Sequence, residues 1–179
     1  HGFPAVVWAY ARGPEVDDIK ETLYWTSNAC ALAASIGADI IKTKYPSPVT
    51  EKNRKQYEEY IHSLEKRVKG VERYLELEPK EGEELDHERL VERVTYLMDA
   101  APESLVVVSG GPKISGNAKE QLVKQTKVVM DAGAEGRIIG RNFWGVPLSE
   151  ALELTYAVAD VMRRPEYKRE FSRGSFRYV

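Results

Sequence analysis

One cysteine, Cys30, is all the thiol chemistry that the 179 residues offer. An internal disulfide is therefore excluded, a reducing cytoplasm is the expected setting, and Cys30 itself is expected to be a small core residue within its apolar segment. Charge of one sign is missing too: 26 Lys and Arg stand against 28 Asp and Glu, for a net charge of −2, with no long block of either sign. That balance excludes the electrostatic footprint of a nucleic-acid or anionic-membrane partner and leaves a small ligand. No apolar run approaches the roughly 20 residues needed to cross a bilayer, and no charged segment followed by an apolar one opens the chain, so no membrane partner is expected. Histidine is scarce, and His62 and His87 have no cysteine or paired acidic residue at ligand spacing, so no metal site is expected. An initiator methionine and an N-terminal cap are also lacking. His1-Gly2-Phe3-Pro4 leads straight into an apolar run, as expected of a chain cut from something longer.

What is present is a repeated grammar, in a length that suits one domain spanning 1–179. Four short, β-branched-rich runs bounded by Gly, Pro or Ser predict strands over Pro4 to Tyr10, Ala38 to Lys44, Leu105 to Ser109 and Gly136 to Gly140. Their near-continuous hydrophobicity predicts a parallel sheet buried on both faces. Between the first two, Ile19, Leu23, Ala29, Ala33 and Ile36 recur at helical spacing, predicting a helix over 17–36 closed by Gly37. A second helix is predicted over 117–132, closed by Gly133, and a third over 148–162. Strand, helix, strand in alternation is the signature of parallel α/β architecture.

The predicted strand starts are separated by 34, 67 and 31 residues. The outer two spacings match the roughly 30 residues per unit of an eightfold β/α barrel. The middle excess falls in 46–84, rich in Glu, Lys, Arg and Tyr. It predicts a helical insertion made of one long polar helix followed by a loop at Pro79 to Gly82, with a structural or subunit-contact role. The helix over 86–101 then belongs to the repeat. Beyond Met162 the tail 163–179 is basic and aromatic, and Pro165 and Gly174 break any helix there.

In a β/α barrel the chemistry lies at the C-terminal ends of the strands. The second run ends Ile40-Ile41-Lys42-Thr43-Lys44, bringing a lysine into apolar surroundings where an isolated ammonium is costly. Such a lysine is a Schiff-base candidate. Lys44, two residues on and on the same face, is a second cation able to depress its amine; equally, both lysines can reach solvent and form ion pairs. Trp8, Tyr10 and Arg12 share one face of the first strand, where they either wall a pocket or fill a core. The third and fourth runs end in Ser109-Gly110-Gly111-Pro112-Lys113 and Gly140-Arg141-Asn142. These glycine turns with exposed N–H groups suit a phosphate, to which Arg141 adds charge-assisted bonds, although turns use glycine in any case.

Together Trp8-Ala9-Tyr10-Ala11-Arg12-Gly13, Gly37 to Tyr45, Val108 to Lys113 and Ala132 to Trp144 resemble the archaeal-type class I fructose-bisphosphate aldolases. The resemblance implies an α/β fold that is the C-terminal half, strands five to eight, of a TIM barrel, with the 46–84 insertion following strand six. It implies Lys42 as the imine-forming residue, preferred to Lys44, with Tyr10 as the proton-transfer residue and Trp8 as a pocket wall. Ser109, Gly110, Gly111, Gly140 and Arg141 would hold a phosphate, with Lys113 and Lys44 nearby. The implied reaction is the reversible cleavage of fructose 1,6-bisphosphate to dihydroxyacetone phosphate and glyceraldehyde 3-phosphate, in glycolysis and gluconeogenesis, with no metal or cofactor. A partner supplying the N-terminal half, with its acidic residue, and a homo-oligomeric assembly are implied as well. Related Schiff-base enzymes on other phosphorylated ketoses, the aromatic-precursor synthase among them, and a non-catalytic phosphate-binding half barrel are the alternatives.

Overall fold

A computed structural model of the chain describes residues 2–110 and 116–168. Its elements run β1 (Val6–Trp8), α1 (Leu23–Ser35), β2 (Ile40–Lys44), α2 (Glu51–Leu64), α3 (Arg73–Glu76), α4 (His87–Met98), β3 (Leu105–Ser109), α5 (Ala118–Asp131), β4 (Gly136–Ile138), α6 (Arg141–Trp144) and α7 (Leu148–Met162). Short 3-10 turns occupy Pro14–Val16 and Pro165–Tyr167.

The four strands form one parallel sheet in the order β1-β2-β3-β4, so each strand lies beside its neighbour in sequence. Two of the helices between strands end in the same way. Gly37 (φ 84°) follows α1 and Gly133 (φ 88°) follows α5. The N–H of Ala38 reaches back to the Ala33 carbonyl, and that of Ala134 to the Val129 carbonyl. This is the Schellman closure, and its left-handed residue is most easily a glycine.

Strand alternation separates the two faces of the sheet. Ile41, Thr43, Val106 and Val108 are at most 2% exposed and meet helices. Ile41 and Val106 share a core with Leu23, Cys30 and Ala33 of α1 and Leu97 of α4, whereas Val108 packs with Val94 of α4 and Val128 and Val129 of α5. The opposite face, carrying Val6, Trp8, Ile40, Lys42, Lys44 and Val107, is covered by none of these helices; Val6 and Trp8 are 55% and 66% exposed. The expectation of a sheet buried on both faces is thus corrected. Continuous hydrophobicity along a strand records affinity for cover, and the described residues provide cover on one side only.

Two helix predictions change. The segment 17–36 is not one helix: turns occupy residues 17–22 and α1 starts at Leu23. Ile19 is buried, but in a different cluster, with Tyr24, Val49, Tyr57, Ile61 and Val71. The single long helix expected across the polar stretch is two, α2 and α3, separated by turns containing Gly70 at φ 76°. Thr50 and Asn53 form a capping box at the start of α2.

This stretch is joined to the rest through a buried ion pair. Arg93 of α4, 1% exposed, contacts Glu78 at 2.8 Å and donates to the carbonyls of Leu77 (2.8 Å) and Ser47 (3.4 Å). Glu78 accepts from the Val49 N–H at 2.9 Å. An arginine and a glutamate so thoroughly desolvated are tolerable because each also has backbone partners.

Candidate active site

The parallel register sets Trp8 beside Lys42 and Lys42 beside Val107, with all three side chains on the open face. The Lys42 Nζ lies 3.7 Å from the centroid of the Trp8 ring, well within the distance at which an aromatic face attracts a cation. Among the described residues Lys42 makes no ion pair.

Lys44, on the same face, behaves differently. It forms a salt bridge with Glu21, both side chains being partly buried. Burial first, and then the positive charges of Arg12, Lys20 and Arg141, push the Lys44 ammonium below the usual lysine value, while the carboxylate pulls the other way. Glu21 reaches Lys44 because α1 begins late: the turns before it also let the Glu21 carbonyl accept the Ser47 N–H at 2.8 Å. Sequence periodicity placed Glu21 within a helix, so its direction was not legible.

Tyr10 follows the last rung of the β1–β2 ladder, in which the Ala9 N–H donates to the Lys42 carbonyl at 2.9 Å. Its ring stands edge-on to Trp8 with centroids 6.3 Å apart. Its hydroxyl is 3.4 Å from Ser109 Oγ, which lies 2.8 Å from the Thr43 carbonyl. Ser109 has one hydroxyl proton and gives it to that carbonyl; the long contact with Tyr10 is therefore one in which the tyrosine donates. The predicted set Trp8, Tyr10, Lys42 and Lys44 is brought together. Ser109, expected among the phosphate ligands, has its side chain engaged with this group.

The glycine turns divide. The Gly110 N–H donates to the Ile138 carbonyl at 3.0 Å, prolonging the β3–β4 ladder, so it does not face a ligand. Gly140 leads into α6, where a Cβ would come within 2.5 Å of the Trp144 ring. Only glycine fits under that indole. Arg141 is the first residue of α6. Gly111 and Lys113 lie outside the described residues. Arg137 of β4, which sequence reasoning passed over, donates to Thr126 and Gln125 at 3.3 Å. Burial brings its guanidinium down to about 10, which leaves it charged near neutrality.

No helix among the described residues is long and apolar enough to cross a membrane. No group of three or more His, Cys, Asp or Glu is disposed to hold a metal ion among them.

Comparison with known proteins places this arrangement in context. The model of the DeoC/LacD family aldolases matches residues 1–145. A class 1 fructose-bisphosphate aldolase of Thermoproteus tenax is 27% identical over 160 residues, covering 89% of this chain and 43% of that protein. A fructose-bisphosphate aldolase/6-deoxy-5-ketofructose 1-phosphate synthase of Methanocaldococcus jannaschii is 26% identical over 159 residues, covering 88% and 37%. The chain thus spans about two fifths of the length of these relatives. The crystal structure of an archaeal fructose 1,6-bisphosphate aldolase superposes with a TM-score of 0.58 at 25% identity, covering 88% of this chain and 44% of that one.

Proposed function

Because the chain belongs to the DeoC/LacD family of aldolases, we propose that Lys42 is the imine-forming residue of a class I fructose-bisphosphate aldolase. The observation that carries this reading is the contrast between the two lysines of β2. Lys44 is bound to a carboxylate, whereas Lys42 lies on an aromatic face with no ion pair among the described residues. The carboxylate fixes the Lys44 nitrogen in an ion pair, whereas the Lys42 nitrogen, without such a partner, is placed to turn to a substrate carbonyl.

In the proposed reaction Lys42 Nζ adds to the ketose C2 of fructose 1,6-bisphosphate, and loss of water from the resulting carbinolamine gives an iminium. Removal of the C4 hydroxyl proton then breaks the C3–C4 bond. Glyceraldehyde 3-phosphate departs, and the bonding pair moves towards the positive nitrogen to give an enamine. Protonation at C3 and hydrolysis release dihydroxyacetone phosphate and restore the amine. Tyr10, whose ring stands edge-on to Trp8, is the proposed proton carrier, and Trp8 a wall of the pocket. The turns after β3 and β4, with Ser109, Gly110, Gly140 and Arg141, are the proposed seat of one phosphate. Gly140 and Arg141 are the stronger contributors, since the Gly110 N–H is already paired.

The open sheet face supports a further part of the proposal. The four strands are strands five to eight of a TIM barrel, with residues 46–84 an insertion after strand six, and the remaining strands cover Val6, Trp8 and Val107 from the other side. A homo-oligomer in the cytoplasm, serving glycolysis and gluconeogenesis, is the setting that goes with this activity. The second activity named for the M. jannaschii relative, synthesis of 6-deoxy-5-ketofructose 1-phosphate, favours one alternative, the same lysine chemistry with another phosphorylated ketose.

Sodium borohydride reduction of the full-length protein with dihydroxyacetone phosphate tests the proposal. The expected result is a mass adduct on the peptide carrying Lys42, lost in K42M together with aldol cleavage. An adduct on Lys44 alone, or none on the folded protein, overturns it.

A further inference from the structure

Ser109 ends β3 and is 7% exposed. Its main chain is fixed on both sides: its carbonyl accepts the Tyr45 N–H at 3.2 Å, and the N–H of the next residue, Gly110, is held by Ile138. The hydroxyl proton keeps the freedom that the main chain lacks. Its oxygen stands between two partners, 2.8 Å from the Thr43 carbonyl and 3.4 Å from the Tyr10 hydroxyl. A carbonyl can only accept, whereas a tyrosine oxygen donates while it carries its proton and accepts once it has lost it. Rotation about the Cβ–Oγ bond sends the serine proton to either partner with no heavy atom displaced.

We propose that Ser109 is a positioning residue for Tyr10, its hydroxyl reversing direction each time the tyrosine gives up or regains a proton. The inference rests on the aldolase reading and deepens it by giving the proton carrier a partner. In that reaction Tyr10 gives its proton to the C2 hydroxyl of the carbinolamine, which leaves as water, so that an iminium and a phenolate remain. The Ser109 proton then turns from Thr43 to the phenolate. As the C3–C4 bond breaks, the phenolate takes the C4 hydroxyl proton, and the serine proton returns to the carbonyl. Thr43 tolerates the interval because its carbonyl belongs to the β2–β3 ladder. The 3.4 Å separation is that of a neutral, resting pair; such contacts are often long before substrate binds, and a charged acceptor draws them shorter. The Ser109 side chain is thereby assigned to the proton carrier and the phosphate is left to the turns.

The test follows exchange of the C3 hydrogen of dihydroxyacetone phosphate with solvent deuterium in the full-length protein, a half-reaction in which the same phenolate takes the C3 hydrogen of the iminium. S109A is expected to lower its kcat by about 10- to 100-fold, the loss of one hydrogen bond to a charged oxygen, and to leave KM unchanged. S109C, which keeps the volume and weakens the bond, is expected to show a smaller loss of the same kind. Made in Y10F, S109A is expected to have no further effect. A raised KM with kcat kept returns the hydroxyl to the phosphate seat and overturns the proposal, as does an equal loss with and without Tyr10. The borohydride adduct at Lys42 shows in each variant that the site is folded. If the unsubstituted protein gives no adduct, the aldolase reading is what fails, and the pairing is then read from the fluorine NMR signal of Tyr10 in protein made with 3-fluorotyrosine, assigned by its absence from Y10F. A signal displaced in S109A upholds the pairing, and an unmoved one overturns it.

Discussion

The two faces of the β-sheet are built from residues that alternate along the same strands, yet they have little else in common. On the helix-covered face Ile41, Thr43, Val106 and Val108 are almost wholly removed from water. On the open face stand Lys42 and Lys44, each next in sequence to a covered residue, with Trp8 of the neighbouring strand beside them. A period of two thus separates the groups that hold the fold from those proposed to do chemistry, while the shared backbone keeps the second set in fixed register. Substitutions on opposite faces should therefore separate stability from activity.

The largest expected effect belongs to the open face. Y10F removes the proposed proton carrier but leaves the ring against Trp8. It should lower kcat/KM by about 10²- to 10⁴-fold with little change in thermal midpoint; a smaller loss of activity would move the proton transfer to another group. Next is R93M on the covered side. It strands the Glu78 carboxylate in the interior and should cost about 3–5 kcal/mol in a denaturant titration. The yield of reducible adduct per folded molecule should stay the same, and a fall in that yield would mean that the two sides are coupled. The smallest effect tests the comparison most directly. I41V should cost about 0.5–1.5 kcal/mol, and I40V, facing the open side, less than half as much. Equal costs would mean that Ile40 is as well packed as Ile41.

Much of the sheet was legible because four apolar runs between glycine and proline boundaries leave few alternatives; Leu105–Ser109 and Leu148–Met162 were placed to the residue. Cover was not legible: Val6 and Val7 are the same residue type, and only the packing of helices tells them apart. Lys42 and Lys44 were visible as a pair, whereas their different partners were not. The partner Glu21 comes from a segment whose apolar spacing imitates a helix while Ile19 turns into another cluster. Gly110 shows the opposite failure. A glycine turn after a strand reads as a cradle for phosphate, but whether its N–H is free depends on Ile138 in the next strand.

The placement of Lys42 over Trp8 has an optical consequence. A cation held against an indole face alters the light that the indole emits, and Trp8 shares the chain with two other tryptophans, Trp25 and Trp144. In the proposed reaction, converting the amine to an imine would turn that nitrogen towards a substrate carbon and change what Trp8 senses. With Trp25 and Trp144 replaced by phenylalanine, the remaining fluorescence would follow formation and breakdown of the proposed covalent intermediate as it happens, with no label attached.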